Sequence, residues 1–189
     1  GDVEPADVTA CDFLPISGSR LSRYACNPVF DTSGESWASN VLSTGFRAEL
    51  ILGHPVYQMW YAARDTSDRH GPYALGYAIS GDGVVWEPHA SNPVYHSSVE
   101  GWDQTGMGGI KVAWSSVDRA YYLMYQGYEI DAESGTGSAG LGILASPDGV
   151  SWTAEAMTPL LPFGELGNGV WIRWLLHTSD TADDPPRVA

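Results

Sequence analysis

The sequence is poor in basic residues and in long apolar runs, and each shortage excludes a class of protein. Its 189 residues include 9 Lys and Arg against 23 Asp and Glu, which gives a formal net charge of −14. A chain this acidic has no basic face for a phosphate backbone or an anionic membrane surface, so we expect neither a nucleic-acid nor a membrane partner. Its longest apolar runs, such as 170–176, are far shorter than the roughly 20 residues that span a bilayer.

Cysteine is also scarce, since Cys11 and Cys26 are the two in the chain. A disulfide between them would pin an N-terminal arm, residues 1–26, and would fit an exported protein. The alternative is a pair of reduced, buried thiols. No Cys or His pair has the spacing of zinc ligands, so no metal site of that kind is expected. Few basic residues together with abundant Trp, Tyr and Gly are typical of carbohydrate-facing proteins, and we expect a secreted or extracellular location.

Aromatic residues are abundant, at 12% of the chain, and they recur at a fixed interval along the sequence. The repeated segments are Asn-Pro-Val-Phe at 27–30 and Asn-Pro-Val-Tyr at 92–95 with a weaker Pro-Leu-Leu at 159–161, Trp37 and Trp102, and Tyr-Gln-Met-Trp-Tyr at 57–61 and Tyr-Leu-Met-Tyr-Gln at 122–126. All have a spacing of about 65 or 66 residues. One period shared by separate motifs indicates an internal repeat.

The clearest repeated motif has the form S-x-D-G-x-x-W and occurs at 80–86 and 146–152. Asp-Gly favours a tight hairpin turn, the Ser hydroxyl and Asp carboxylate can accept hydrogen bonds from turn amides, and the Trp packs back onto the strands. We therefore interpret Asp82 and Asp148 as structural residues of the turn rather than as catalytic residues.

Each repeat contains a series of short segments rich in aromatic and aliphatic residues, separated by Gly, Asp, Ser and Pro. In the first repeat these predicted strands are 46–52, 56–62, 75–80 and 86–89. Because no segment has a convincing 3.6-residue apolar stripe, the chain is predicted to be all-β. Four antiparallel strands in a unit of this size are typical of a β-propeller blade. The predicted units are 27–91, 92–158 and a partial 159–176, followed by a polar tail at 177–189.

These motifs resemble those of the five-bladed β-propeller glycoside hydrolases, the arabinanase, levansucrase and invertase superfamily that includes families 32, 43, 62 and 130. The resemblance rests on the Asn-Pro-Val-aromatic openings, the Tyr-x-Met-Trp/Tyr second strands and the two Asp-box-like turns, and it covers about residues 27–174. It implies an incomplete ring of about two and a half to three blades in this chain. A second copy in a homodimer, or the remainder of a longer chain, would complete it.

The resemblance also implies acidic residues near the inner strands, at the mouth of a central funnel. Glycoside hydrolysis needs two carboxyl groups, about 5–5.5 Å apart for retention or about 6.5–9.5 Å apart for inversion. We expect Glu49 and Asp103 to form this pair across adjacent blades. Glu165, which precedes the third predicted inner strand, is a weaker third candidate.

Three of the nine basic residues fall at similar places in the predicted inner strands. They are Arg47, Lys111 and Arg173. Side chains that point alike into the funnel would form a cationic cluster able to bind an anionic sugar through charge-assisted hydrogen bonds. The alternative is that they neutralise carboxylates between blades. Trp102 and Trp171 are candidates for stacking on sugar rings, although most Trp in a propeller pack between blades.

The sequence therefore predicts a glycan-active propeller, first of all a glycoside hydrolase that acts through paired carboxylates on a carbohydrate. The alternatives are a non-catalytic carbohydrate-binding or assembly propeller, or different chemistry in the same funnel. No cofactor is expected. Calcium binding is possible in the stretch with Asp131, Glu133 and the Gly/Ser-rich residues 134–140, but it lacks the D-x-D-x-D-G pattern, and a solvated loop is the simpler interpretation.

Overall fold

The computed structural model describes residues 27–32, 34–65, 72–97, 101–130, 137–154 and 159–165. All the regular structure in these ranges is β, arranged in two antiparallel sheets. They include no helix long and apolar enough to cross a membrane. The cysteines, the N-terminal arm, residues 166–176 and the C-terminal tail lie outside the described residues.

The first sheet is formed by three long strands and two short ones. They are β1 (Asn40–Ile51), β2 (His54–Arg64), β3 (Ala74–Ser80), β4 (Glu87–Pro88) and β5 (Tyr95–His96). The order is β1-β2-β3, and both short strands pair with β3, so that together they fill the fourth position of the sheet. The four strands predicted from the sequence of the first repeat correspond to β1–β4.

The second sheet has the same arrangement. Its strands are β6 (Gly106–Ser115), β7 (Ala120–Ile130), β8 (Gly137–Ser146), β9 (Thr153–Ala154) and β10 (Leu161–Glu165). The order is β6-β7-β8, and β9 and β10 both pair with β8. The prediction of an all-β chain built from four-stranded antiparallel blades is thus confirmed in the described residues, and two such blades make an incomplete ring.

The two sheets pack face to face around an aromatic and aliphatic core. Trp60 is fully buried at its centre, together with Leu75 of the first sheet and Leu123 of the second. The edge strands β1 and β6 lie side by side, and a Cβ on Gly45 would be 3.2 Å from Val112 Cγ2. β1 and β6 are therefore the inner strands of neighbouring blades, as the sequence predicted for the segments that carry Arg47 and Lys111.

The units of the sequence repeat and the sheets of the structure begin at different residues. The Asn-Pro-Val-Tyr motif at 92–95 was expected to open the second unit, but Tyr95–His96 is β5 and pairs with β3 of the first sheet. In the same way Leu161–Glu165 completes the second sheet. The motif at 92–95 therefore ends the first blade and leads into β6, the inner strand of the second. Its two Asn-Pro peptide bonds, 27–28 and 92–93, are both cis.

The structure also corrects the alignment of the second strands by one residue. The sequence comparison matched Tyr57 with Tyr122. In the sheets Tyr57 pairs with Ser80 and Tyr121 pairs with Ser146, and both serines open an S-x-D-G-x-x-W turn. Tyr121 is therefore the counterpart of Tyr57. A shift of one residue moves every side chain of a strand to the opposite face, so this correction decides which residues are equivalent.

Candidate functional site

Arg47 and Glu49 form an ion pair on the inner strand β1. They are two residues apart and share a face of the strand, and Arg47 Nη2 lies 3.3 Å from Glu49 Oε2. Their side chains are 25% and 27% exposed. The guanidinium lies 5.7 Å from the ring centroids of both Trp114 and Tyr121 of the second sheet. Arg47 Nε is buried and has no hydrogen-bond partner among the described residues. Arg47 thus bridges the two blades from a position that solvent still reaches.

Lys111 lies on the face of the second sheet that points away from the first sheet. Its neighbours Ile110 and Val112 face Gly45 of the first sheet, so the exposed Lys111 side chain between them points outward. The structure does not bring Lys111 together with Arg47, and the carboxylate that Arg47 pairs with is Glu49 of its own strand. Arg173 and Trp171 lie outside the described residues.

Asp103, the second predicted carboxylate, is buried just before β6. It is 1% exposed, and its Oδ2 accepts a 2.8 Å hydrogen bond from the Tyr125 hydroxyl. Trp102 stacks on the same Tyr125 ring, with centroids 5.7 Å apart, and both Trp102 and Asp103 pack against Gly127. Burial, followed by the charge of Asp103, raises the pKa of Tyr125. Trp102 and Asp103 therefore belong to the packing of the second blade.

The first blade contains the same unit. Tyr61 lies over Gly76, Trp37 stacks on the tyrosine with centroids 5.8 Å apart, and the hydroxyl donates to Glu35 Oε2 at 3.0 Å. In the second blade Tyr125 lies over Gly142, and Asp103 takes the place of Glu35. A carboxylate that recurs in this position in each blade is typical of a structural role. Sequence comparison missed the unit because it aligned Tyr57 with Tyr122, which matches Tyr61 with Gln126 instead of Tyr125.

The two units differ in how completely the carboxylate is hydrogen-bonded. In the first blade Asn92 Nδ2 lies 2.9 Å from the Tyr61 hydroxyl and 3.3 Å from Glu35 Oε1, and Asn92 Oδ1 accepts from Tyr77 N. The third copy of this motif has Thr158 where the second has Asn92. In the second blade Asp103 Oδ1 is buried without a hydrogen-bond partner in the part of the chain that the structure describes.

Glu49 and Asp103 lie near opposite ends of the inner strands. Glu49 binds Arg47, which packs against Trp114 near the end of β6. Asp103 packs against Gly127 of β7, which pairs with Met107 near the start of β6. At about 3.3 Å per residue, these contacts are roughly 20 Å apart along the strand. The structure does not bring the two carboxylates to the separation that a glycosidase uses.

Glu165 is the last residue of β10 and pairs with Ser138 of β8. Its backbone therefore lies in the fourth position of the second blade, far from the inner strand of that blade. Its side chain is outside the described part of the structure, as are Asp131 and Glu133 of the proposed calcium loop. Residues 137–140 of that stretch are the first residues of β8.

The turn motifs have the structural role that the sequence predicts. Asp148 Oδ1 accepts hydrogen bonds from the amides of Val150 and Ser151 at 2.8 and 2.6 Å, and Ser146 Oγ accepts from Gly149 N at 2.8 Å. The two amide hydrogen bonds to its carboxylate, that from Ser151 first, lower the pKa of Asp148 to about 2. The equivalent bonds lower the pKa of Asp82.

A groove on the outward face of the first sheet was not predicted. It has a volume of about 440 Å³, and it is lined by Phe46, Arg47, Ala48, Tyr57, Asp82, Gly83 and Trp86. Phe46 is 59% exposed, and its ring centroid lies 5.9 Å from that of Trp86. The signal for it in the sequence is the alternation along β1, in which Phe46, Ala48 and Leu50 share the face opposite Arg47 and Glu49.

No protein-family model matches the sequence, and no curated protein matches it. Similar solved structures include a candidate glycoside hydrolase from Bacteroides ovatus, with 23% identity over 62% of this chain and a TM-score of 0.46. They include a complex of BT0996 with RGII, with 19% identity over 67% of this chain and a TM-score of 0.46. Zg3597, a family 117 glycoside hydrolase from Zobellia galactanivorans, has 17% identity over 74% of this chain and a TM-score of 0.49. The chain covers 31%, 35% and 44% of these three proteins, respectively.

Proposed function

We propose that this chain belongs to a glycan-active propeller protein, located outside the cell, that binds carbohydrate at the inner strands of its blades. The observation that supports this proposal is the Arg47–Glu49 pair, partly exposed on β1 and backed by Trp114 and Tyr121. Guanidinium and carboxylate groups make charge-assisted hydrogen bonds with hydroxyl groups. A few such polar groups beside aromatic rings are typical of small-molecule sites.

The preferred ligand in this proposal is a carbohydrate with an anionic group. Arg47 forms its salt bridge with Glu49 through Nη2 at 3.3 Å, and its side chain is 25% exposed. A ligand carboxylate or sulfate could therefore bind the solvent-reached end of the guanidinium through charge-assisted hydrogen bonds. The chain has a net charge of −14, which repels an anionic sugar. The Arg47 guanidinium on the inner strand supplies the local positive charge that would attract such a sugar.

For hydrolysis we propose Glu49 as one of the two carboxyl groups. It is 27% exposed and lies on the inner strand, whereas Asp103 is buried in a unit that both blades share. The second carboxyl group must then lie about 5–9.5 Å from Glu49 in the assembled ring. Glu165 remains a candidate for this second carboxyl group because of its position in the sequence. The second function, glycan binding without turnover, is favoured by the distance between Glu49 and Asp103.

Glycan binding and release of reducing ends test this proposal on the full chain, using neutral and uronate- or sulfate-containing oligosaccharides. We expect binding of an anionic glycan that Arg47→Ala weakens at least tenfold and Arg47→Lys weakens less, because lysine keeps the charge but loses the fork. Arg119→Gln, at an exposed arginine in the β6–β7 turn, is the control and should bind normally. Circular dichroism checks the fold of each variant.

Glu49→Gln separates the two functions. Loss of turnover with retained binding supports the hydrolase, and binding by a parent chain that has no turnover supports the binding protein. A parent chain that binds none of the glycans would contradict the proposal as a whole.

A further inference from the structure

A buried amide side chain lies beside Arg47 on the neighbouring strand. Gln58 of β2 is the antiparallel partner of Arg47 on β1, so the two side chains share one face of the first sheet, with Cβ atoms about 5 Å apart. Gln58 is 6% exposed, and a primary amide is buried without penalty only where its polar atoms are hydrogen-bonded. The partners of this amide therefore bear on the Arg47–Glu49 pair.

The Gln58 amide joins the two blades. Its Nε2 donates to the Tyr77 hydroxyl of the first sheet at 2.9 Å, and the same atom lies 3.4 Å from the Tyr121 hydroxyl of the second sheet. The Tyr121 hydroxyl in turn lies 3.5 Å from Gln58 Oε1. Both polar atoms of the amide thus reach Tyr121, so the hydroxyl end of this buried side chain is held from the first sheet.

The ring of Tyr121 forms one wall of the space that holds Arg47. Arg47 Cζ lies 5.7 Å from the ring centroids of Tyr121 and Trp114, and these two rings meet edge to face with centroids 4.7 Å apart. The salt bridge to Glu49 uses Nη2, and Nε has no hydrogen-bond partner among the residues that the structure describes. The ring contacts therefore place the guanidinium across the interface, and Gln58 holds one of the two rings.

The charged pair and the amide occur together in one blade and are missing together from the other. The strand registers give Ala113, Ser115 and Tyr122 as the second-blade counterparts of Arg47, Glu49 and Gln58. The Ser-Asp turns and the tyrosines that lie over glycine, by contrast, are present in both blades. The amide is thus no requirement of the blade fold, and it accompanies the charged pair.

We propose that Gln58 is a positioning residue for the Arg47–Glu49 site: its amide fixes the Tyr121 ring, and the ring fixes the guanidinium that binds the acidic group of a glycan. The part of this inference that concerns the ligand rests on the proposed function. A guanidinium already held in its binding position loses less conformational freedom when the ligand binds, and so the ligand binds more tightly. Gln58 needs no contact with the sugar for this effect.

Two tyrosine variants separate this role from a purely structural one. An amide that only satisfies buried hydroxyl groups should matter most through its shorter bond, so a structural role predicts that Tyr77→Phe is the more disruptive change. Positioning of Arg47 depends on the contact with Tyr121 instead. Tyr121→Phe keeps the ring but releases it from the amide, whereas Tyr77→Phe leaves that contact in place. The two variants therefore make the same chemical change on either side of one amide.

Exchange of the Arg47 Nε proton with water, followed by NMR of the isotope-labelled full chain, tests the positioning role without any ligand. Arg47→Lys identifies the signal by removing it. Because this nitrogen is buried, we expect about tenfold faster exchange in Gln58→Leu and in Tyr121→Phe, and at most about a twofold change in Tyr77→Phe. Unchanged exchange in Tyr121→Phe, or an equal change in Tyr77→Phe, would overturn the proposal.

Affinity for a uronate-containing oligosaccharide tests the consequence for the ligand. We expect Gln58→Leu and Tyr121→Phe to weaken binding about fivefold, less than Arg47→Ala does, while Tyr77→Phe binds as the parent does. Equal weakening by the two tyrosine variants would contradict the positioning role. A parent chain that binds no anionic glycan would defeat the proposed function, and proton exchange would then decide alone whether Gln58 positions Arg47. Circular dichroism checks each fold, and the tyrosine variants carry the comparison if Gln58→Leu does not fold.

Discussion

The two blades have the same internal structure but different surroundings. Each contains a turn in which Ser and Asp bind the amides, and each contains a tyrosine that lies over glycine and binds a carboxylate. In the second blade the face beside the turn is buried against the first blade. In the first blade the same face is an open groove. The repeat thus determines the structure within a blade, and the neighbouring blade determines which of its residues are buried.

The largest expected effect is at the contact between the blades. Trp60→Ala removes a fully buried indole and its hydrogen bond to Gly149, and it should lower the free energy of unfolding by about 3–5 kcal/mol. Trp86→Ala, at a partly exposed tryptophan, should cost less than half as much. Urea denaturation of dilute protein measures both. Equal losses would show that the two faces are buried to the same extent.

The next effect concerns the glycines under the tyrosine rings. A Cβ on Gly76 would lie 2.2 Å from Tyr61 Cζ, and one on Gly142 would lie 2.4 Å from Tyr125 Cζ. Because the ring must move, we expect either alanine variant to lower the free energy of unfolding by about 2–3 kcal/mol. Gly81→Ala is the control, since nothing lies within 4 Å of its Cβ position. If Gly76→Ala alone proves harmless, the two units are not equivalent.

A smaller effect should distinguish the two carboxylates. Tyr125→Phe leaves Asp103 buried without its 2.8 Å hydrogen bond, which should cost about 1–3 kcal/mol. Tyr61→Phe should cost less, because Asn92 still contacts Glu35. Thermal or urea unfolding of both variants measures the difference. Equal costs would mean that Asn92 does not compensate for the lost hydroxyl.

The smallest effect concerns acid. The folded pKa of Asp148 is about 2, below its ordinary value of 3.8, so its contribution to stability is full above pH 4 and is lost as the pH falls towards 2. Because the carboxylate is exposed, we expect this contribution to be about 1 kcal/mol. The difference in unfolding free energy between the parent and Asp148→Asn should therefore shrink between pH 4 and pH 2. A difference that is constant with pH would contradict the assigned pKa.

Local motifs allowed much of the fold to be predicted from sequence. Asp-Gly turns and alternating aromatic segments fix strands and hairpins over short distances, so the strands of the first repeat and the turn role of Asp82 and Asp148 were predicted. The boundaries of the blades were harder to predict. Whether residues 92–95 pair with β3 or belong to the next sheet depends on contacts between segments that are distant in the sequence.

The candidate site depended on register and on long-range packing, which a repeat alignment does not fix. Aligning Tyr57 with Tyr122 exchanged the two faces of β7, and this hid the unit of Tyr125 and Asp103. Arg47 and Glu49 were predicted to share a face, since strand alternation is a local property. The position of Arg47 between Trp114 and Tyr121 required knowing how the sheets pack.

A crystal structure of the full chain soaked with an anionic oligosaccharide tests the central proposal most directly. The proposal predicts a sugar beside β1, with its acidic group on the Arg47 guanidinium. A sugar that makes no contact with Arg47, with the guanidinium still paired with Glu49, would contradict the proposed glycan site.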